Sequence, residues 1–286
     1  MIKAFSYLFS LGILGFLTFI FCKLTWDSVY PFSNFHLFDF GYWDFRTESF
    51  KALSMFYGSF VVSFISLIIS IPIGIGAAIF LSEYLTGAKR AVSKVLIELL
   101  AGIPSVVYGL LGVVFLSPWI RPTVMFFGGN SGDSLLTAGI LLAIMVLPTV
   151  VTFSDDALRC VSRKVREGSL GLGMSKSQTI LYVVLPQAKK GIVGAIMLAL
   201  GRAIGETIAI YMVIGRSDKP FSFNDFSINN IFESGQTITT KLGGTETFIG
   251  YGNQSHWQAL MALGLCLWLM VGILSFVTSK IQGKYY

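Results

Sequence analysis

Apolar residues run through this chain in six long blocks, set apart by polar or aromatic stretches. The blocks fall at roughly 4–24, 54–81, 95–118, 135–153, 191–213 and 257–279. Each approaches or exceeds the ~20 residues that cross a bilayer as a helix. Within hydrocarbon, every backbone N–H and C=O must be paired inside the segment, which selects helices. The pattern predicts an all-α integral membrane protein with six transmembrane helices. Between the blocks lie three outer segments (25–53, 119–134, 214–256) and a long polar segment at 154–190. A first unit, 1–50, holds the first helix and an aromatic outer loop. A second, 51–286, holds the other five helices and the 154–190 loop.

Charge decides which way the helices point. Lys and Arg gather on the cytoplasmic side of membrane proteins. With the N-terminus placed inside, thirteen of the 21 basic residues face the cytoplasm and seven face out, although the outer segments are longer in total. Both termini are therefore expected to be cytoplasmic. Lys219 and Lys284 are among the residues counted. Lys3 and the apolar run Ala4–Phe21 lack a small-x-small cleavage site, so they read as a retained first helix.

Composition closes off other classes. Only 13% of residues are charged, about half the ~25% usual in soluble domains. The net charge of +6 flanks membrane segments rather than an exposed face with stacking aromatics, so nucleic acid is not an expected partner, whereas membrane lipid is. Cys22, Cys160 and Cys266 have no ligand spacing and make no disulfide framework. His36 and His256 are far apart, and no metal site is expected. The chain has no G-x-x-x-x-G-K-[ST] loop, so ATP hydrolysis is not expected of it.

The outer segment 25–53 is aromatic, with Trp26, Tyr30, Phe32, Phe35, Phe38, Phe40, Tyr42, Trp43 and Phe45. Aromatics collect at membrane interfaces, so it reads as an amphipathic stretch on the membrane, compatible with contact to an extracytoplasmic partner. The 214–256 segment reads as irregular.

Three constellations carry candidate chemistry. The fifth block contains GRAIGETIA at 201–209. Arg202 and Glu206 are four apart and share a face if the helix is continuous. Charge within a span is costly and faces a bundle interior or polar cavity. An ion pair holding helices in register and a guanidinium fork for an oxyanion both fit, the second because five donors match phosphate geometry. Thr207 adds a hydroxyl. Gly201 and Gly205 form Gly-x-x-x-Gly, a spacing that admits close helix approach. Pro72 and Pro104 mark helix breaks, read either as packing kinks or as midplane hinges lining a substrate path. Glu98 lies near the inner end of its block.

The third constellation is EGSLGLGMSKSQTILYVVLP, residues 167–186. Glu167 is followed by Gly168, Gly171 and Gly173, then by Leu185-Pro186. Its composition fits a docking surface for another protein. A short helix near 161–170, a glycine turn and a second helix near 175–184 are expected. Proline disfavours helix at the preceding residue, so that second helix should stop near Leu185.

This loop resembles the EAA loop of ABC-importer permeases. Gly168 and Ser169 stand where the family has two alanines, and Val183 where it has isoleucine. With six spans, the chain looks like a type I ABC importer permease of the MetI-like fold. GRAIGETIAIYMVIG, GAAIFLSEY (76–84) and ELLAGIPSVVYGLLG (98–112) are similar to phosphate-import permeases of the PstC type. Ile208-Ala209-Ile210 follows the motif, where the sister PstA type has Ala-Pro. The resemblance implies a permease subunit of an ATP-driven phosphate importer in the inner membrane. It implies a PstA-like permease partner, two copies of a PstB-like ATPase using ATP and Mg, and a PstS-like phosphate-binding protein. It places Arg202, Glu206 and Thr207 on the phosphate path, and Glu167, Gly168, Gly171, Gly173, Leu185 and Pro186 at the ATPase. A permease for sulfate, molybdate or phosphonate, or a non-transporting sensory or assembly subunit, are the alternatives at this stage.

Overall fold

The computed structural model describes residues 2–218 and 228–283; Lys219 and Lys284, counted in the charge asymmetry, lie outside them. Helices dominate. They are α1 (Ile2–Asn34), α2 (Leu53–Ile79), α3 (Gly87–Ala101), α4 (Ser105–Leu111), α5 (Ser117–Phe126), α6 (Leu135–Arg159), α7 (Arg163–Gly171), α8 (Lys176–Thr179), α9 (Leu185–Gly205), α10 (Ile208–Val213), α11 (Ile238–Leu242), α12 (Glu246–Gly250) and α13 (Gln254–Gly283). A two-residue hairpin, β1 (Trp43–Asp44) with β2 (Ser49–Phe50), is antiparallel. Six helical stretches are long and apolar enough to span a membrane, as the hydropathy pattern predicts.

The helices α2 and α6 make the most extensive contact, and their glycines explain why. A Cβ on Gly74 of α2 would come within 2.6 Å of Val150 on α6. A Cβ on Gly139 of α6 would lie 2.7 Å from Ile65 on α2. Each helix thus supplies a groove for a β-branched ridge of the other. Around this pair, α4, α9 and α10 close a core that includes Val62, Leu142, Val146, Ala199 and Ile210. A second cluster caps the outer end, and a third, with Leu158, Val161, Val184 and Ala188, holds the inner end. The inner end is the one bearing α7 and α8. By contrast, α1 packs chiefly along α13, through contacts such as Phe21 with Trp268, ring centroids 4.6 Å apart.

Several elements depart from the hydropathy reading. The third block is two helices. It parts at Gly102-Ile103-Pro104, and the spanning stretch is Ser105–Phe126. Helix α3 buries no residue and lies along the inner end. There Arg90 bonds Asp155 of α6 at 2.6 Å and Lys94 bonds Asp156 at 3.1 Å. Pro104 is thus at a true break and caps α4, whereas Pro72 sits inside an uninterrupted α2. The fifth span begins at Lys176, well before residue 191. The helix expected to stop near Leu185 runs on, because a π-helical turn at Ile180–Val184 precedes the proline. Leu185 N–H donates to Ile180 O across five residues. That wide turn moves carbonyls clear of the ring that would otherwise strike them. Pro118 repeats the device, following a π turn at Gly112–Leu116.

The outer segments are also more built than their composition implies. Helix α1 extends to Asn34, well into the 25–53 stretch. Trp26 stays exposed, but Trp43 and Phe50 are core residues stacked edge to face at 4.9 Å. They share the outer cluster with Met55, Ile238 and Leu263, so a unit boundary at residue 50 falls inside that cluster. The 214–256 stretch, read as irregular, carries α11, α12 and a 3-10 turn at Ile228–Phe232.

Candidate functional site: a broken helix at Arg202 and a helical hairpin at Glu167

Helix α9 ends at Gly205. Glu206 has extended backbone, φ −71° and ψ 130°, and α10 starts at Ile208. The expected shared face for Arg202 and Glu206 is not formed, because the helix stops between them. Glycine at 205 and an unpartnered turn favour that stop over continued helix. The break is held from outside: Thr239 of α11 donates its hydroxyl to Glu206 O at 2.8 Å. Glu206 Oε1 accepts from Ala209 N–H at 3.4 Å, and Thr207 Oγ1 donates to Gly205 O at 3.3 Å.

Among the described residues, Arg202 forms no ion pair with Glu206. Its guanidinium is exposed and donates from Nη1 to Thr149 Oγ1 of α6 at 3.0 Å. The last turn of a helix favours a cation there. Nothing lies within 4 Å of a Cβ built on Gly201 or Gly205. Among the described residues, the Gly-x-x-x-Gly spacing therefore receives no helix, and the space beside Arg202 is open. The second break packs nearby. Gly109 of α4 meets Met212 and Ala209 of α10 closely, and Tyr108 donates its hydroxyl to Leu100 O at 2.8 Å, bridging the Gly102–Pro104 gap. A groove of about 460 Å³ opens along Val95, Glu98, Leu99, Gly102, Ile103 and Pro104.

The inner hairpin forms much as its spacing predicts. Helix α7 closes in a Schellman arrangement: Met174 N–H donates to Ser169 O at 3.2 Å and Gly173 N–H to Leu170 O at 3.0 Å. Gly173 takes φ +85°, the left-handed position that glycine occupies without a Cβ penalty. Ser175 and Gln178 then form a reciprocal capping box that starts α8. Glu167 is exposed and, among the described residues, pairs along its own helix with Arg163 at 3.3 Å. Gly168 and Gly171 stand in open space, and Leu170 and Leu172 are exposed. Ser169, in contrast, is buried and bonds Arg166 O and Thr179 Oγ1. Leu185 and Pro186 lie at the start of α9, inside the spanning stretch that begins at Lys176.

The residues that tie this hairpin down were not singled out from the sequence. Arg166 of α7 contacts Glu83, in the π turn Phe80–Tyr84 that ends α2, and donates to Leu158 O at 2.6 Å. Lys176 of α8 places its ammonium 4.5 Å from the Tyr84 ring centre. The only trace in the sequence is that Glu83 and Asp155 abut apolar blocks, where an unpaired carboxylate would be expensive. Among the described residues, no cluster of His, Cys, Asp and Glu is placed to hold a metal.

Six spans, a helix broken within the bundle beside a cation, and a polar helical hairpin slung from one end define the permease subunit of a transporter. The fold agrees with solved importers. One chain of the MetNI methionine ABC transporter, in inward-facing conformations, superposes with a TM-score of 0.56 at 18% identity, covering 82% of this chain and 93% of that one. A chain of an amino acid ABC transporter gives 0.55 at 20% identity, covering 85% and 99%. This is the type I importer permease fold.

The chain belongs to the family of binding-protein-dependent transport system inner membrane components, whose model matches residues 70–283. Among its relatives, the phosphate transport system permease protein PstC of Mesorhizobium japonicum is 33% identical over 262 residues, 85% of this chain and 77% of that protein. The PstC of Pasteurella multocida is 35% identical over 265 residues, 87% and 79%. A probable ABC transporter permease protein of Bacillus subtilis, YqgH, is 34% identical over 235 residues. The chain is thus a multi-pass inner-membrane subunit of a binding-protein-dependent transport system.

Proposed function

We propose that this chain is a membrane-spanning half of an ATP-driven phosphate importer. Arg202 carries the reading. It is a cation within the bundle, at a helix break, with open space on one side and, among the described residues, no carboxylate neutralising it. Four of its five donors remain for an oxyanion. Broken helices near the midplane are where transporters of many folds bind substrate. Glu206 and Thr207 line the same break; Glu206 tempers the field so that phosphate leaves as readily as it enters. The groove at Gly102–Pro104 continues the path.

The hairpin α7–α8 is the docking element for a cytoplasmic ATPase. Its open glycines Gly168 and Gly171 admit a close surface, and Leu170 and Leu172 offer apolar contact. Two PstB-like ATPase copies, which use ATP and Mg, bind below the membrane. A PstA-like permease completes the pathway, and a PstS-like protein brings phosphate to the outer end. The test is uptake of labelled phosphate by starved cells carrying Arg202→Gln. Uptake should fall to the level of a deletion while the complex still assembles, and excess sulfate or molybdate should not displace the signal in the parent. Normal uptake by the Gln variant would remove Arg202 from the path.

A further inference from the structure

We propose that Thr149 is the positioning residue for Arg202: its hydroxyl fixes the guanidinium on the pathway without neutralising it. The inference rests on the reading of Arg202 as the pathway cation. Three membrane threonines of this chain spend their hydroxyls on their own helices: Thr18 on Leu14 O, Thr25 on Phe21 O and Thr278 on Leu274 O. That back-bond is the usual habit of a helical threonine. Thr149 departs from it. Its Oγ1 accepts from Arg202 Nη1 at 3.0 Å, and among the described residues it donates to no carbonyl. The preceding residue, Pro148, lies within α6 and supplies no N–H.

The choice of a hydroxyl has a physical consequence. A long arginine on a helix end samples many rotamers, and orienting it in advance removes that ordering cost from each transport cycle. A carboxylate would orient it as well but would cancel the charge that attracts the anion. A neutral acceptor does the first without the second. Thr149 sits 14 residues into the 25-residue α6, about 21 Å from its outer end at 1.5 Å per residue, close to the middle of the span. The hydroxyl proton that no carbonyl takes is free to be donated to the anion that Arg202 holds.

Four variants in the complete transporter test this, with uptake of labelled phosphate normalised to assembled complex. Thr149→Val keeps the shape and loses the acceptor. Maximal uptake should fall roughly tenfold, the scale of one hydrogen bond to a charged group, with half-saturation unchanged. Thr149→Ser should restore uptake to within about twofold, again the scale of a retained hydrogen bond. Thr149→Asp should lower uptake as far as Arg202→Gln does, because it supplies the cancelling charge. Thr149→Ala replaces the valine variant if that one does not accumulate. Parental uptake by Thr149→Val or Thr149→Ala, beside an inactive Arg202→Gln, would overturn the positioning role and leave Arg202 on the path. Equal losses in Val and Ser would also overturn it, since packing and not the hydroxyl would then matter. An active Arg202→Gln would instead overturn the pathway reading itself.

Discussion

At the scale of single residues, the outer end holds a buried charge cluster whose importance shows only in three dimensions. Lys241 of α11 is 1% exposed. Its ammonium lies 2.7 Å from Asp218 and 3.2 Å from Glu246. His256 Nε2 lies 2.8 Å from the other Glu246 oxygen, close but poorly aligned for a hydrogen bond. Burial pushes the Asp218 carboxyl above the usual carboxylate range, and the Lys241 charge pulls it back. Removing one member of such a cluster leaves buried charge without a partner. Lys241→Met should therefore destabilise the protein by about 3 kcal/mol, read as a lowered unfolding midpoint in detergent. Without the Lys241 charge, burial alone acts on the Asp218 carboxyl and raises its pKa further, so the deficit is largest at neutral pH and shrinks as acid protonates it. An unchanged midpoint at neutral pH would show the cluster to be solvated. In the sequence Lys241 reads as one more outer charge. Its partner Asp218 is 23 residues away, beyond any helical or strand period, so no local pattern reports the contact.

At the scale of elements, hydropathy tells where helices exist, and chain stereochemistry decides where they begin, end and bend. Apolar blocks lasting ~20 residues are legible because lipid imposes one solution on each. The glycine turn at Gly173 is legible for the same sort of reason: few residues take a positive φ without strain. The break at Glu206 is not, because Arg202 and Glu206 keep helical spacing between apolar flanks; Pro104 marks the break after α3, but its apolar end hides that α3 is separate from the span. Nor are the π turns before Pro118 and Pro186 legible, and they reverse the ordinary meaning of a proline after an apolar run. The α2–α6 interface shows what the pattern of small residues does decide. Gly139→Val would thrust a branched side chain into Ile65, where even a Cβ stands 2.7 Å away. Overpacking of this kind costs about 1–3 kcal/mol. Gly76→Ala, on the same helix as Gly74 but facing open space, should be neutral or slightly stabilising. Paired thermal unfolding of the two variants checks the assignment; similar midpoints would mean that the helices separate freely.

At the scale of the whole molecule, the inner hairpin and the midplane cation are joined by a continuous set of packed elements. Both legs of the hairpin rest on one feature, the π turn Phe80–Tyr84: Arg166 on Glu83, Lys176 on Tyr84. That turn ends α2, α2 interlocks with α6, and α6 holds Arg202 through Thr149. A push on α7 therefore meets α2 through a mostly buried ion pair, and α6 through Leu158 O, rather than through a slack loop. Close-packed interiors transmit displacement instead of absorbing it. Glu83→Gln keeps the shape and removes the charge. It should lower phosphate uptake several-fold, the scale of a lost charge-assisted hydrogen bond, while the ATPase still co-purifies, because Glu167 and the exposed face of α7 are untouched. ATP hydrolysis should persist but respond less to loaded binding protein, since closure below would no longer reach the bundle. The exchanged pair Glu83→Arg with Arg166→Glu should recover part of the uptake that either single change removes. Full coupling in Glu83→Gln would place the transmission elsewhere, in the apolar contacts of Val161, Val184 and Ala188 that hold the same end of the bundle.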